Sequence, residues 1–339
     1  MKKRWVSWLK ILIGVALITV LVVSERLELH RLLAIRERWG LFLAAQVVFL
    51  CSLFTTIVRW QLLLRALDVP TRFMEVLRLG WIGLLFNQVI PGTTGGDVVK
   101  GYYIARECPE RRAEAVLSVV LDRVIGLTAL MLVGGVALLV NRQQILENAF
   151  LTQVGWLLAV LVVVLLGGGA LLAWESFWRQ PWIQRLLQRI PFRNVVSSLA
   201  RALWTLRGKR KILCWTLGLS IVNHFGIVFT HVLLAASLLG ETPSLAAYFF
   251  LIPVGQLAFA LPISPGGLGI GELVYDSLFT QMDQSSGAEV AALMRLTWVL
   301  WSLVGVYFYF RGRKELKEAA QAAQETSLLE KEAMEGASS

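Results

Sequence analysis

An all-α, polytopic membrane protein is expected from this chain, with about six full transmembrane helices and two re-entrant, Pro/Gly-broken helical hairpins in inverted-repeat relation. Three observations point there. Of the 339 residues, 56% are hydrophobic and 17% charged, against about 25% charge in soluble domains, and mean hydropathy is +0.64. Residues 40–58, 124–140, 154–174, 212–240 and 242–271 contain no Asp, Glu, Lys or Arg, and roughly 17 such residues are enough to cross a hydrocarbon core of about 30 Å. Finally, two apolar stretches are interrupted by Pro and Gly at matching spacing, which a simple spanning helix does not need.

Residues 5–23 form the first expected span, with Lys10 its only charge. Lys2, Lys3 and Arg4 precede it as they would precede a signal peptide, but no small-residue cleavage site follows and Val23-Ser24-Glu25-Arg26 reads as a membrane exit. Residues 40–58 are the second span. Residues 79–99 lie between the basic segments 59–78 and 100–112 and are broken at Pro91-Gly92-Thr93-Thr94-Gly95-Gly96. A single crossing would put the second basic segment outside, so a hairpin that dips in and returns is expected. Residues 124–140 and 154–174 are full spans. Segment 181–206 sets Trp182, Ile183, Leu186, Leu187 and Ile190 on one helical stripe beside Arg185 and Arg189, the pattern of an interfacial helix on the cytoplasmic leaflet. Residues 212–240 span again, and 245–279 form a second hairpin, broken at Pro262-Ile263-Ser264-Pro265-Gly266-Gly267. The last span, 290–310, carries Arg295. The expected organisation is thus a membrane domain over 1–310 and a polar cytoplasmic tail over 311–339, either a frayed helix or disordered.

Basic residues set the sidedness. The N-terminus, 59–78, 100–112, 179–211 and 311–317 are richest in Lys and Arg and are placed in the cytoplasm, with both termini there and the protein in the cytoplasmic (inner) membrane. Residues 141–153, 241–244 and 281–289 fall on the other side, as does 25–39 despite its four Arg. Several of the 13 Trp lie at span edges, as an aromatic belt does. The net charge of +10 is explained by cytoplasmic loops facing anionic lipid rather than by nucleic acid. Cys51, Cys108 and Cys214 have neither disulfide nor metal-ligand spacing. No metal, cofactor, ATP-binding loop or common hydrolase motif is expected.

In both breaks a Pro is followed four and five residues on by Gly-Gly, and an acid follows, Asp97 directly and Glu272 after Leu-Gly-Ile-Gly. Broken apolar segments at corresponding places in two halves point to the binding site of inverted-repeat transporters. Irregular backbone survives at membrane depth only inside protein or against a water-filled cavity. Charge there is costly, about 2.5–3.5 kcal/mol per group, which singles out Asp97, Lys100, Asp122, Arg123, Glu272, Asp276 and Arg295. Arg123 and Lys100 suit a lipid phosphate, one as a fork and one as a point charge. The helix starts near Gly96 and Gly269 offer backbone N–H groups to the same anion. The plainer alternative for Asp122 and Arg123 is an ion pair without ligand, although neighbours on a helix point about 100° apart and satisfy one another poorly. Glu272 reads as a functional acid, as a helix-terminal charge, or as a counter-ion for Arg123. His224 and His231, seven apart on nearly one face, suit interhelical hydrogen bonding, with a proton relay as the alternative.

Three motifs carry a family resemblance: Asn87-x-x-x-Pro91-x-x-x-Gly95-Gly96-Asp97-x-x-Lys100, then Leu121-Asp122-Arg123-Val-Ile-Gly126, then Pro265-Gly266-Gly267-Leu-Gly269-x-Gly271-Glu272. Together they resemble the flippase-like transmembrane family of lysylphosphatidylglycerol synthases over residues 8–310. In bifunctional members this domain moves an aminoacylated phospholipid between leaflets, and a soluble C-terminal domain makes it. The chain ends at Ser339, soon after its last span, so the synthase half is expected to be absent and lysyl transfer is not carried over. Lys100 departs from the family pattern, where Arg is commoner. The resemblance implies a lipid translocase without cofactor, and not an enzyme. Its substrate site is expected at Asn87, Gly95, Gly96, Asp97, Lys100, Asp122, Arg123, Gly266, Gly267 and Glu272. The partner is a membrane lipid with a polar headgroup; a homo-oligomer or lipid-synthesis enzymes stay open as protein partners. The alternatives are a membrane-embedded transferase acting on a lipid-linked sugar or phosphate, and a scaffold of a lipid-synthesis complex.

Overall fold

A computed structural model describes residues 35–89, 95–174, 180, 208–240, 242–259 and 269–336. Every regular element among them is helical: α1 (Trp39–Ala66), α2 (Phe73–Val89), α3 (Gly95–Glu107), a 3-10 turn (Pro109–Arg111), α4 (Arg112–Val140), α5 (Arg142–Glu147), α6 (Ala149–Ala173), α7 (Arg210–Leu239), α8 (Leu245–Phe259), α9 (Ile270–Gln281) and α10 (Gly287–Gly336). Five stretches are long and apolar enough to cross a membrane: Ile35–Ala66, Pro109–Val140, Ala149–Gly168, Lys211–Leu239 and Gly287–Arg311. They contain or overlap the five later spans expected from sequence. The expected first span, 5–23, and the interfacial helix, 181–206, lie outside the described residues. The fold is that of a polytopic, all-α membrane protein. Its outward faces agree, since Trp156, Leu157, Val163 and Val164 on α6 are all more than half exposed, an apolar band of the kind that faces lipid or another protein rather than water.

Two helices outrun their uncharged cores. At 28 residues α1 is about 42 Å long, and 29-residue α4 slightly more, both beyond the roughly 30 Å core. The extra turns carry Arg59 on α1 and Asp122 and Arg123 on α4, and these charges are accommodated by facing other helices rather than by ending their own. The tail continues as helix to Gly336 without a break at Arg311.

Each expected hairpin is a pair of helices packed together, α2 with α3 and α8 with α9. The tips, 90–94 and 260–268, lie outside the described residues, and Gly266 and Gly267 with them. The first pair closes where Asn87 at the end of α2 accepts a hydrogen bond from the Gly96 N–H through Oδ1, at 2.7 Å. Backbone approaches backbone there. A Cβ on Gly96 would lie 1.9 Å from the Gly83 carbonyl oxygen, so only glycine fits.

The hairpins enter from opposite ends of the bundle. At one end, Arg78 is hydrogen-bonded to Glu107, Cys108 Sγ meets the Pro70 carbonyl at 3.6 Å, and Lys209 Nζ donates to the Ala66 carbonyl at 2.6 Å. The three basic segments assigned to one side from sequence thus meet. At the other end, Asn141 Nδ2 donates to the Ala246 carbonyl at 2.9 Å, Asn148 Nδ2 to Gln281 Oε1 at 2.7 Å, and Ser244 N–H to Gln284 Oε1 at 3.3 Å. Gly240 ends α7 in the left-handed region at φ 79°, and a Cβ there would lie 2.5 Å from Arg38 Nη2. Arg38, just before α1, therefore reaches the same end as the polar loops. Hairpins opening toward opposite ends stand in the inverted relation expected.

Candidate functional site

Between the two hairpins lies a cavity of about 350 Å³, walled by α1, α2, α3, α4, α7, α8, α9 and α10. Its polar lining is a chain of alternating charges. On α1, Arg59 is 6% exposed; its Nε meets Asp122 Oδ1 at 2.7 Å and its Nη1 donates to Ser220 Oγ at 2.8 Å. One guanidinium thereby ties α1 to α4 and α7. From α3, Lys100 Nζ stands 3.9 Å from Asp122 Oδ2 and 3.8 Å from Asp97 Oδ1, and 4.3 Å above the Trp60 ring centre, a cation–π distance. Asp97 Oδ2 faces Arg123 Nη1 at 3.6 Å. Of these contacts to Asp97 and Asp122, the one from Arg59 has the length of a tight charge-assisted hydrogen bond. Those from Lys100 and Arg123 are looser by about an ångström.

The 100° divergence of neighbours on a helix is realised on α4: Asp122 turns inward to Arg59, while the Arg123 side chain keeps 36% exposure beside Asp97. In place of the Asp122–Arg123 ion pair considered from sequence, each residue takes a partner on another helix.

Of the residues expected to bind substrate, Asn87, Asp97, Lys100, Asp122 and Arg123 line this one cavity. Gly95 and Gly96 are buried behind it at the start of α3. Glu272 is wholly buried in the first turn of α9 and does not line the cavity. Its Oε2 accepts the Gly269 N–H at 2.8 Å, and Arg295 forks onto it, Nε to Oε1 at 2.5 Å and Nη2 to Oε2 at 2.9 Å. It is a helix-terminal charge and a counter-ion at once, but for Arg295 rather than Arg123. Arg295 itself lines the cavity.

His224 and His231 also line it. His224 Nε2 meets the Gly126 carbonyl on α4 at 3.0 Å, and His231 Nε2 meets Tyr275 Oη on α9 at 3.4 Å, the interhelical bonding expected. Because a carbonyl only accepts, His224 Nε2 carries the proton, and the buried Nδ1 is left without a hydrogen-bond partner among the described residues.

Arg59 is the lining residue that sequence reasoning misses, because it counts among the basic residues of a cytoplasmic loop. The signal is present all the same. Trp60, Leu62, Leu63 and Leu64 follow it, an apolar run that argues for more helix beyond the charge.

No solved structure matches this chain. It is similar to a UPF0104 membrane protein of Pyrococcus horikoshii, 23% identical over 333 residues, which cover 91% of this chain and 98% of the relative. The lysylphosphatidylglycerol synthase TM region matches residues 7–312, a stretch that takes in both hairpins and every wall of the cavity. The three motifs, the paired broken helices and this match converge: the chain belongs to the family of the lysylphosphatidylglycerol synthase transmembrane region.

Proposed function

We propose that this protein is a lipid translocase whose central cavity accepts the anionic headgroup of a phospholipid as it passes between leaflets. The observation that carries the reading is the charge balance of the cavity. Among the described residues, Arg59, Lys100, Arg123 and Arg295 face it with Asp97 and Asp122, and Glu272 stands behind Arg295, so there four cations meet three carboxylates. An excess of about one positive charge at membrane depth is stabilised by an anion. Lys100 and Arg123, at 3.6–3.9 Å from the oxygens of Asp97 and Asp122, are placed to bind phosphate. The volume fits as well, since about 350 Å³ is at the small end of ligand sites and takes a headgroup, leaving acyl chains in the bilayer.

The test uses proteoliposomes with a fluorescent phospholipid and an external quencher. The parent is expected to exchange the lipid between leaflets, and Arg123→Ala and Lys100→Ala to slow it by about tenfold or more while still inserting, the loss of one charge-assisted contact. Parent-level exchange in both variants would remove the phosphate site. Chemical modification of the lipid without leaflet exchange would favour the transferase reading.

A further inference from the structure

A second hollow, of about 720 Å³, lies between α3 and α4 and shares two residues with the headgroup cavity, Asp97 and Arg123. Its wall is aliphatic along its length, with Val98, Gly101 and Ala105 on α3 facing Val116, Val120 and Val124 on α4. Unlike the cavity it is open sideways, with Val98 71% and Tyr102 62% exposed. Its far end carries Arg106 and Arg112, both exposed and neither with a hydrogen-bond or ion-pair partner among the described residues. At 1.5 Å per residue, Arg123 lies about 16 Å along α4 from Arg112, about half the thickness of a hydrocarbon core. The hollow therefore runs from a membrane interface toward the midplane, with guanidinium groups at both ends and valines between.

We infer that this groove is a lipid loading site. It holds one anionic phospholipid of the leaflet on the Arg106–Arg112 side, with its phosphate on these two arginines and an acyl chain along the α3–α4 valines. The inference rests on the translocase reading only for the lipid's passage after binding. Two features argue for that occupant. A sideways-open aliphatic groove at membrane depth is filled by acyl chain, and two interfacial arginines without carboxylate partners among the described residues select an anionic headgroup over a zwitterionic one. Continuity with the cavity gives the lipid its next position. Asp97 and Arg123 form the partition between the two hollows at a spacing of 3.6 Å, so a phosphate moving inward meets Arg123 first and takes the place of Asp97 opposite it.

The test is photolabelling of the full chain in phosphatidylcholine nanodiscs containing a trace of phosphatidylglycerol with a diazirine near its acyl terminus, followed by mapping of labelled residues. Label is expected to concentrate on residues 98–105 and 116–124 relative to the lipid-facing stretch 156–164 of α6. The double variant Arg106→Gln/Arg112→Gln should lower that labelling about thirtyfold, as the loss of two basic groups near an anionic headgroup predicts, and should leave labelling by a phosphatidylcholine probe unchanged. Gly101→Leu places a side chain in the groove, where a Cβ meets no atom within 4 Å, and should exclude both probes while the protein folds. Even labelling across α3, α4 and α6, or labelling indifferent to both variants, overturns the loading site. Labelling does not require transport, so a protein labelled in the groove that fails to exchange lipid removes the translocase reading alone. One that exchanges lipid but labels evenly removes the groove alone.

Discussion

Arg59 reaches Asp122 and Ser220 from inside the bundle, holding three helices with one side chain. Taking one partner from a buried pair leaves an uncompensated charge, worth about 3–5 kcal/mol. Arg59→Met, apolar and of similar length, is therefore expected to lower unfolding stability in detergent by about 3 kcal/mol, and Asp122→Asn in that background to recover most of the loss. A double-mutant cycle by thermal or denaturant titration measures the coupling; stability unchanged in the single variant would show that Asp122 relies on Lys100 instead. Charge inside an apolar stretch was readable for Asp97, Asp122, Arg123 and Glu272 because the residue type alone is informative at membrane depth. Their partners were not readable. Glu272 meets Arg295 and Asp122 meets Arg59 through helix packing, and no spacing along the chain encodes those pairs.

The broken hairpins were legible as elements because Pro and Gly interrupt an apolar run in a way that a spanning helix does not tolerate without compensation. Helix ends were less so. Charge marks where an apolar run stops, but α1 and α4 continue past Arg59 and Arg123 since neighbouring helices supply counter-charges. What locks the first hairpin is the Gly83–Gly96 approach together with the Asn87–Gly96 hydrogen bond. Gly96→Ala is expected to force the arms apart and reduce the folded fraction, as seen by size-exclusion profile and melting temperature, because a backbone carbonyl 1.9 Å from the new carbon cannot rotate away. Gly101→Ala, on the same helix with open space around its Cβ, is the matched control. It should hold stability or raise it by about 0.5–1 kcal/mol, the usual gain from removing glycine inside a helix. Equal behaviour of the two variants would mean that the hairpin opens to accommodate a methyl group there.

At the scale of the whole molecule, sequence and structure arrive at the same grouping of the described loops by different physics. Lys and Arg counts group segments by side without knowing which of them touch; the structure joins 59–78, 100–112 and Lys209 by hydrogen bonds at one end of the bundle, and 141–153, 242–244 and 281–289 at the other. Asp68 and Lys209 meet at one end, with Nζ to Oδ1 at 3.2 Å, and Gln144 donates to the Met282 carbonyl at 3.4 Å at the other. Counting Arg59 as a loop residue leaves the partition intact because Arg65, Arg72 and Arg78 keep that end basic. The expectation that the basic end faces the cytoplasm is tested by single cysteines at Gln143, Gln284, Asp68 and Glu110 in a background where Cys51, Cys108 and Cys214 are replaced by alanine. Gln143 and Asp68 lie on opposite loop groups, so a membrane-impermeant thiol reagent applied to intact cells discriminates the ends directly. Cysteines at 143 and 284 should react at once, and those at 68 and 110 only after the membrane is permeabilised. The two members of each pair must behave alike, because the hydrogen bonds that join their loops leave no room for a bilayer between them. Labelling at 68 and 110 without permeabilisation, with 143 and 284 protected, would invert the orientation while keeping the fold; labelling that splits either pair would contradict the packing of the helices themselves.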